Sequence, residues 1–368
     1  MEAQRIYLIG AGVIARAHAA AIRRLPHPEQ VMLAVADPNA HALAAFSEQY
    51  PHARLFQDAH IMLAEPAQEN DIVIVATPPF THCDLTCTAL ATGRHVLCEK
   101  PLALDREQAR QMLAVAQAHG RMLGCCSVRF LHLPSTEAVR HLLQEEALGQ
   151  LYHVRFLYLE QRNRPGIEFQ SGSQWFLDRT KSGGGTLMDR APYEFTMFND
   201  LLSPTRVEVL SAWLANPITA LHVPEGTIAD VEQHAGASLR YYRADGSTFM
   251  LTYERASATH SERQSYIEIA GLKGSVQWEW QLGRVNNRLA HTYDCDGLVE
   301  SKVVSFPPLS RDALGFGERP LYYFYQRLQG QPSSAVVNEQ ALFNFSCIRA
   351  IYDCAATGQP QAVVLGEA

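Results

Sequence analysis

The residues Gly10-Ala11-Gly12-Val13-Ile14-Ala15 follow the apolar run Arg5 to Ile9 and open an alanine-rich stretch, Val13 to Leu25. A strand, a tight glycine turn and a helix in that order commit the start of the chain to a βαβ unit. Gly10 permits the turn, Gly12 lets the backbone approach a pyrophosphate, and Ala15 lets helix and strand pack closely. The first helical N–H groups then face the phosphate charge. The second strand, Val31 to Ala36, ends in Asp37, at the distance a ribose-binding carboxylate requires. A carboxylate there accepts bonds from both ribose hydroxyls and repels a 2′-phosphate, and Pro38-Asn39-Ala40 offers no Arg or Lys to hold one. The pattern points to NAD in preference to NADP.

The alternation continues. A helix is expected over Ala40 to Tyr50 and a strand over Asp71 to Ala76, nearly all apolar, as in a strand covered on both faces. Helix Thr81 to Ala91, strand His95 to Cys98, helix Asp105 to His119 and strand Arg121 to Val128 follow. This order predicts an α/β fold: an N-terminal Rossmann domain, residues 1–126, on a doubly wound parallel sheet. Beyond Pro134 the pattern changes. One helix runs to about Ala147, and then long strands appear: Leu151 to Gln161, Arg206 to Ala215, Ala237 to Tyr242, Thr248 to Glu254, Tyr266 to Ala270 and Ser275 to Trp280. Asp245-Gly246 and Asp296-Gly297 read as hairpin turns. Helices are expected at Thr186 to Leu202, Pro320 to Leu328 and Glu339 to Ala356. Residues 127–368 are thus predicted to form a C-terminal α/β domain with a large, mostly antiparallel open sheet.

A chain of 368 residues, 47% of them hydrophobic, has the apolar content for two such cores. The net charge of −7 argues against a nucleic-acid partner, which would want a basic face. No apolar run approaches the ~18 residues of a membrane helix. The N-terminal apolar run is too short for a signal peptide, so a cytoplasmic protein is expected. Eight cysteines are scattered without a C-x-x-C pair; they read as small buried hydrophobes in a reducing compartment, and no metal site is expected.

Glu99-Lys100-Pro101 directly follows the strand His95 to Cys98. The carboxyl end of a parallel strand is where such sheets bind ligands. A lysine there would hold a nicotinamide and the oxygen of an alcohol or ketone together. Together with Val75-Ala76-Thr77-Pro78, His82, Gly93-Arg94-His95-Val96 and the run Gly183-Gly184-Gly185-Thr186-Leu187-Met188-Asp189, this segment resembles the Gfo/Idh/MocA oxidoreductases over nearly the whole chain. The resemblance implies a Rossmann domain followed by an open-sheet α/β domain, commonly the contact surface of a homodimer or homotetramer. It also implies NAD(P)-linked oxidation or reduction of sugars, cyclitols and related small molecules. On this reading Gly10, Gly12, Val13, Ile14, Asp37, Thr77, Pro78, His82, Glu99 and Lys100 contact the cofactor.

One departure matters. Many members of that family carry D-x-G-x-H in the active-site helix, whereas this chain has Asp189-Arg190-Ala191-Pro192-Tyr193. Tyrosine stands at the histidine position, as in the branch containing glucose–fructose oxidoreductase and dimeric dihydrodiol dehydrogenase. Oxidising a secondary alcohol requires loss of the hydroxyl proton as hydride leaves. Tyr193 would be the acid/base, with the Lys100 ammonium stabilising its phenolate and donating to the substrate oxygen. Asp189 lies one helical turn before Tyr193 and shares its face, where it would orient the substrate or Lys100. Trp175 would wall the substrate pocket. Arg162 and Arg164 read as a solvated loop, with an acidic substrate group as the other reading. The expected activity is hydride transfer between NAD and a secondary alcohol or carbonyl of a sugar, polyol, cyclitol or cyclic diol. A redox-neutral use of the same cofactor and a cofactor-binding regulator without turnover are open alternatives.

Overall fold

A computed structural model describes residues 4–161, 173–217, 225–279, 288–306 and 313–367. The first six strands are β1 (Arg5–Ile9), β2 (Met32–Ala36), β3 (Arg54–Phe56), β4 (Ile72–Val75), β5 (His95–Cys98) and β6 (Leu123–Cys125). They lie parallel in the order β6-β5-β4-β1-β2-β3. Helices α1 (Val13–Ala21), α2 (Ala40–Ser47), α3 (Ala59–Leu63), α4 (His82–Ala91) and α5 (Arg106–Ala118) make the crossovers. Every residue of β4 and β5 is buried, which is what their uninterrupted apolar runs require. The strand order reverses between β1 and β4, the switch point at which open α/β sheets bind ligands.

The register decides what meets there. Ile9 pairs with Val75, Val75 with Cys98, and Cys98 with Cys125. The residues that follow these strand ends, Gly10, Ala76, Glu99 and Cys126, therefore stand side by side along one edge of the sheet. β6 is shorter than the predicted Arg121 to Val128. Its partner β5 ends at Cys98, so the chain leaves the sheet at Cys125 and turns through a 3-10 segment, Cys126–Val128. The short elements β3 and α3 were not anticipated, because neither carries an apolar run long enough to mark it.

Helix α6 (Pro134–Gln144) leads to β7 (Leu151–Leu159), and α7 (Arg179–Ser182) and α8 (Thr186–Leu202) lead to β8 (Pro204–Ala215). β9 (His234–Arg243), β10 (Thr248–Ala256), β11 (Gln264–Gly271), β12 (Gly274–Trp278), β13 (Arg288–Cys295) and β14 (Leu298–Ser305) follow. The chain ends with α9 (Arg319–Leu328), β15 (Val336–Val337), α10 (Asn338–Thr357) and β16 (Gln361–Val364). The second sheet runs β14-β13-β12-β11-β7-β10-β9-β8-β16, antiparallel except where β7 and β10 pair in parallel. Asp296 and Gly297 both have positive φ, 50° and 78°, the geometry of a two-residue hairpin turn between β13 and β14. One face of this sheet is covered by α8 and α10, with Phe156, Phe198 and Tyr253 among the buried side chains between them.

The chain also returns to the first layer. β15 adds antiparallel to β6, and α9 packs so closely that a Cβ on Gly124 would lie 2.6 Å from the Phe324 ring. Glu318, just before α9, takes Arg23 at 2.6 Å and Arg24 at 2.9 Å, which fastens α9 to the 3-10 turn Ile22–Arg24 that follows α1. No described helix is long and apolar enough to cross a membrane.

Candidate active site

The glycine turn is built for a close neighbour. Gly10 has φ +105°, and a Cβ there would sit 2.6 Å from the carbonyl oxygen of Ala76. Only glycine lets β1 turn this tightly against β4. At Gly12 a Cβ would meet nothing within 4 Å, because the position faces an open cleft. Gly12 caps α1 without a side-chain bond, and the first turn of α1 holds no acidic residue. Those N–H groups can serve an anion. Asp37 closes the turn from β2: Ala11 N–H donates to its Oδ2 at 2.9 Å and Asn39 N–H to its Oδ1 at 2.8 Å. The donor set and the space both fit a dinucleotide.

A cavity of about 660 Å³ extends from this turn to α8. Gly12, Val13, Ile14, Thr77, Pro78, Glu99, Lys100, Trp175, Asp189 and Tyr193 all line it, so the structure brings most of the anticipated residues together. Gly10 and Asp37 shape its glycine-turn end from outside the lining. His82 is placed differently from expectation. It is fully buried, with Nδ1 2.8 Å from the Pro101 carbonyl and Nε2 2.9 Å from the Thr77 carbonyl. It ties the segment after β4 to the segment after β5, away from the cavity. Burial lowers its pKa, against the opposing effect of the two carbonyls.

Glu99 lines the cavity but is turned into a buried charge cluster. His18 Nε2 lies 2.7 Å from its Oε1, and the Arg129 guanidinium is bonded to the same oxygen. Burial works against the carboxylate, but Arg129, His18 and the Lys100 ammonium outweigh it and hold the carboxyl well below the usual range. The same pairing holds the Arg129 pKa above its ordinary value against desolvation. Cys126 Sγ lies 3.8 Å from His18 Nε2, so three metal-ligand residue types meet here without any spacing signal in the sequence. The cation that this cluster already holds is Arg129.

Lys100 reaches across to the second domain. Its Nζ donates to Asp189 Oδ1 at 2.8 Å and to the Asp189 carbonyl at 2.9 Å, and lies 5.3 Å from the Tyr193 ring centroid. Pro192 lacks the N–H that would bond residue 188 in α8, and the lysine supplies a donor to that same turn. A cation beside the Tyr193 hydroxyl is one the sequence reading missed: Arg129, with Nη1 at 3.5 Å. Its signal was available, since it follows the carboxyl end of β6 just as Lys100 follows β5. Arg190, also missed, lines the cavity with Nε 3.0 Å from Asp189 Oδ2.

Helix α8 is held at its start by Glu232. Gly185 N–H and Leu187 N–H donate to its carboxylate at 2.8 and 3.0 Å, and the Tyr352 hydroxyl at 2.7 Å. A buried carboxylate at a helix N-terminus satisfies donors that the helix cannot; burial raises its pKa nonetheless. Here the glycine run is explained: a Cβ on Gly185 would lie 1.9 Å from the Glu232 carbonyl oxygen, and one on Gly184 2.1 Å from the Tyr352 hydroxyl. Trp175, half-buried in the 3-10 turn Gln174–Leu177, stacks on Phe176 at 3.8 Å, and both form a cavity wall. Arg162 and Arg164 lie outside the described residues.

The sequence model described as "Oxidoreductase family, NAD-binding Rossmann fold" matches residues 4–126, and that of the "GFO/IDH/MocA C-terminal domain" matches residues 136–277. The chain belongs to the Gfo/Idh/MocA oxidoreductase family. It is 24% identical to the 1,5-anhydro-D-fructose reductase of Ensifer adhaerens over 98% of both chains. It is 28% identical to the inositol 2-dehydrogenase of Rhizobium meliloti (strain 1021), over 75% of this chain and 76% of that one. Its fold superimposes on a levoglucosan dehydrogenase solved with NADH, with a TM-score of 0.77 at 19% identity, covering 99% of this chain and all of the other. This Gfo/Idh/MocA member is an NAD-dependent enzyme acting on CH–OH groups, and its glycine turn, Asp37 and the unblocked start of α1 are the parts that fit the cofactor.

Proposed function

We propose that this protein interconverts a secondary alcohol and a carbonyl on a sugar, polyol, cyclitol or cyclic diol, with NAD as hydride acceptor or donor. The observation that carries the reading is the position of the Lys100 ammonium, inside the cavity between the end of β5 and α8, bonded to Asp189 and over the Tyr193 ring. The named relatives, a sugar reductase and a cyclitol dehydrogenase, support the substrate class. The glycine turn, Asp37 and the Thr77–Pro78 segment would hold NAD, which when bound would supply the hydride acceptor or donor.

Lys100 donates to the substrate oxygen and favours the alkoxide that develops as the hydroxyl proton leaves. Asp189 aims that ammonium. Tyr193 takes the proton in oxidation and returns it in reduction, with Arg129 donating to its hydroxyl oxygen. Glu99 keeps Arg129 in place. Trp175 and Phe176 cover the apolar face of the ring. Copies associate through the uncovered face of the second sheet, where Tyr152 and Trp213 are exposed. The eight cysteines, all without disulfides, fit a reducing cytoplasm.

The test is reduced-nicotinamide absorbance with NAD across aldoses, polyols, inositols and sugar acids, with Lys100→Met alongside. Turnover by the parent protein should vanish in the variant, while its NAD dissociation constant stays within about threefold. Near-normal turnover in Lys100→Met would sink the mechanism.

A further inference from the structure

The described charged side chains lining the cavity are three cations, Lys100, Arg129 and Arg190, and two carboxylates, Glu99 and Asp189. Arg129 is matched by Glu99, whereas Asp189 is shared between Lys100 at 2.8 Å and Arg190 at 3.0 Å. Among the described residues, the lining thus carries one positive charge in excess, in a protein whose net charge is −7. Arg190 is the cation that the proposed chemistry does not use. It lies three residues before Tyr193 on α8, so the two side chains share a helix face about one turn apart. Its contact with Asp189 is made through Nε, and a guanidinium offers four further N–H donors in a planar fork. That fork matches a carboxylate in a bidentate geometry, which a neutral hydroxyl cannot reproduce.

We propose that Arg190 makes this site selective for substrates bearing a carboxylate, a sugar acid or polyol acid, with the anion held about one helical turn from the reacting carbon. The assignment deepens the function proposed above and rests on it for the position of the reacting carbon. It also accounts for the side chain at 190. The stacked pair Trp175 and Phe176 then covers the ring while Arg190 holds its acidic substituent.

Matched pairs test this: D-glucose and D-glucuronate, D-galactose and D-galacturonate, threitol and L-tartrate. Each is titrated calorimetrically into the NADH-loaded protein, a readout that needs no turnover. At least one acid should bind about tenfold or more tightly than its neutral partner, and its advantage should shrink as salt rises. Arg190→Gln should cut that acid-over-neutral ratio about ten- to a hundredfold, and Arg190→Lys should retain part of it. A merely structural role for Arg190 would weaken acid and neutral members alike. Preference for the neutral members, no binding of any acid, or an acid advantage that survives in Arg190→Gln overturns the assignment. The absorbance assay on the same pairs separates the two proposals. Selective acid binding without hydride transfer to any member refutes the proposed reaction on these substrates and leaves Arg190 as the anion site. Turnover of neutral members in preference to acids does the reverse.

Discussion

Replacing Glu99 by glutamine tests the charge cluster beneath the cavity. The carboxylate is 4% exposed and serves Arg129 and His18, while the backbone N–H of Lys100 donates to its other oxygen at 3.1 Å. Glutamine keeps the shape and the bond to Lys100 but removes the negative charge, leaving the Arg129 guanidinium buried without its counter-ion. Breaking a buried pair in this way costs about 3–5 kcal/mol. At roughly 2 °C per kcal/mol, the lower slope suited to a long chain, the melting temperature should fall by about 6–10 °C. The pH dependence has a definite sign. Glu99 is held below its unfolded value, so its stabilisation is complete above the ordinary carboxylate range, about pH 4.3, and is lost as pH falls toward the folded value. The gap between parent and variant should narrow below about pH 4.5. Melting curves for the parent, Glu99→Gln, Arg129→Met and the double variant complete the cycle. The double variant should be less destabilised than the sum of the singles by about 2 kcal/mol or more. Strict additivity, or a Glu99→Gln protein within about 1 kcal/mol of the parent, would refute the reasoning.

Tyr193→Phe removes the hydroxyl beside Arg129 and should lower kcat about a hundredfold or more while KM stays within about threefold; a change in KM alone would make the tyrosine a binding residue. Gly10→Ala places a methyl 2.6 Å from the Ala76 carbonyl oxygen at φ +105°. Its urea midpoint should fall by the equivalent of about 2–3 kcal/mol with an unchanged slope, and an unchanged midpoint would contradict the close approach of β1 and β4.

The βαβ alternation, the glycine turn, Asp37 and the strand-end lysine were legible in the chain because each is a local signal. A buried parallel strand must be apolar throughout, a tight turn needs glycine, and a ligand-binding residue follows a strand end. The helix Thr186 to Leu202 was legible to the residue, since its glycine run and apolar spacing mark both ends. Local pattern also set the hairpin at Asp296-Gly297. What it did not contain was register. Only the alignment of β1, β4, β5 and β6 puts Gly10, Glu99 and Cys126 side by side, and only the return of the chain after β6 swings Arg129 to the Tyr193 hydroxyl. The fold likewise decided that His82 ties two loops together instead of facing the cavity, and that Arg23 and Arg24 hold Glu318. It paired Glu232 with the start of α8 across 45 residues of chain or more. Such long-range charge pairs leave no periodic trace, because they depend on where two distant segments are brought by packing and not on what surrounds either one in sequence.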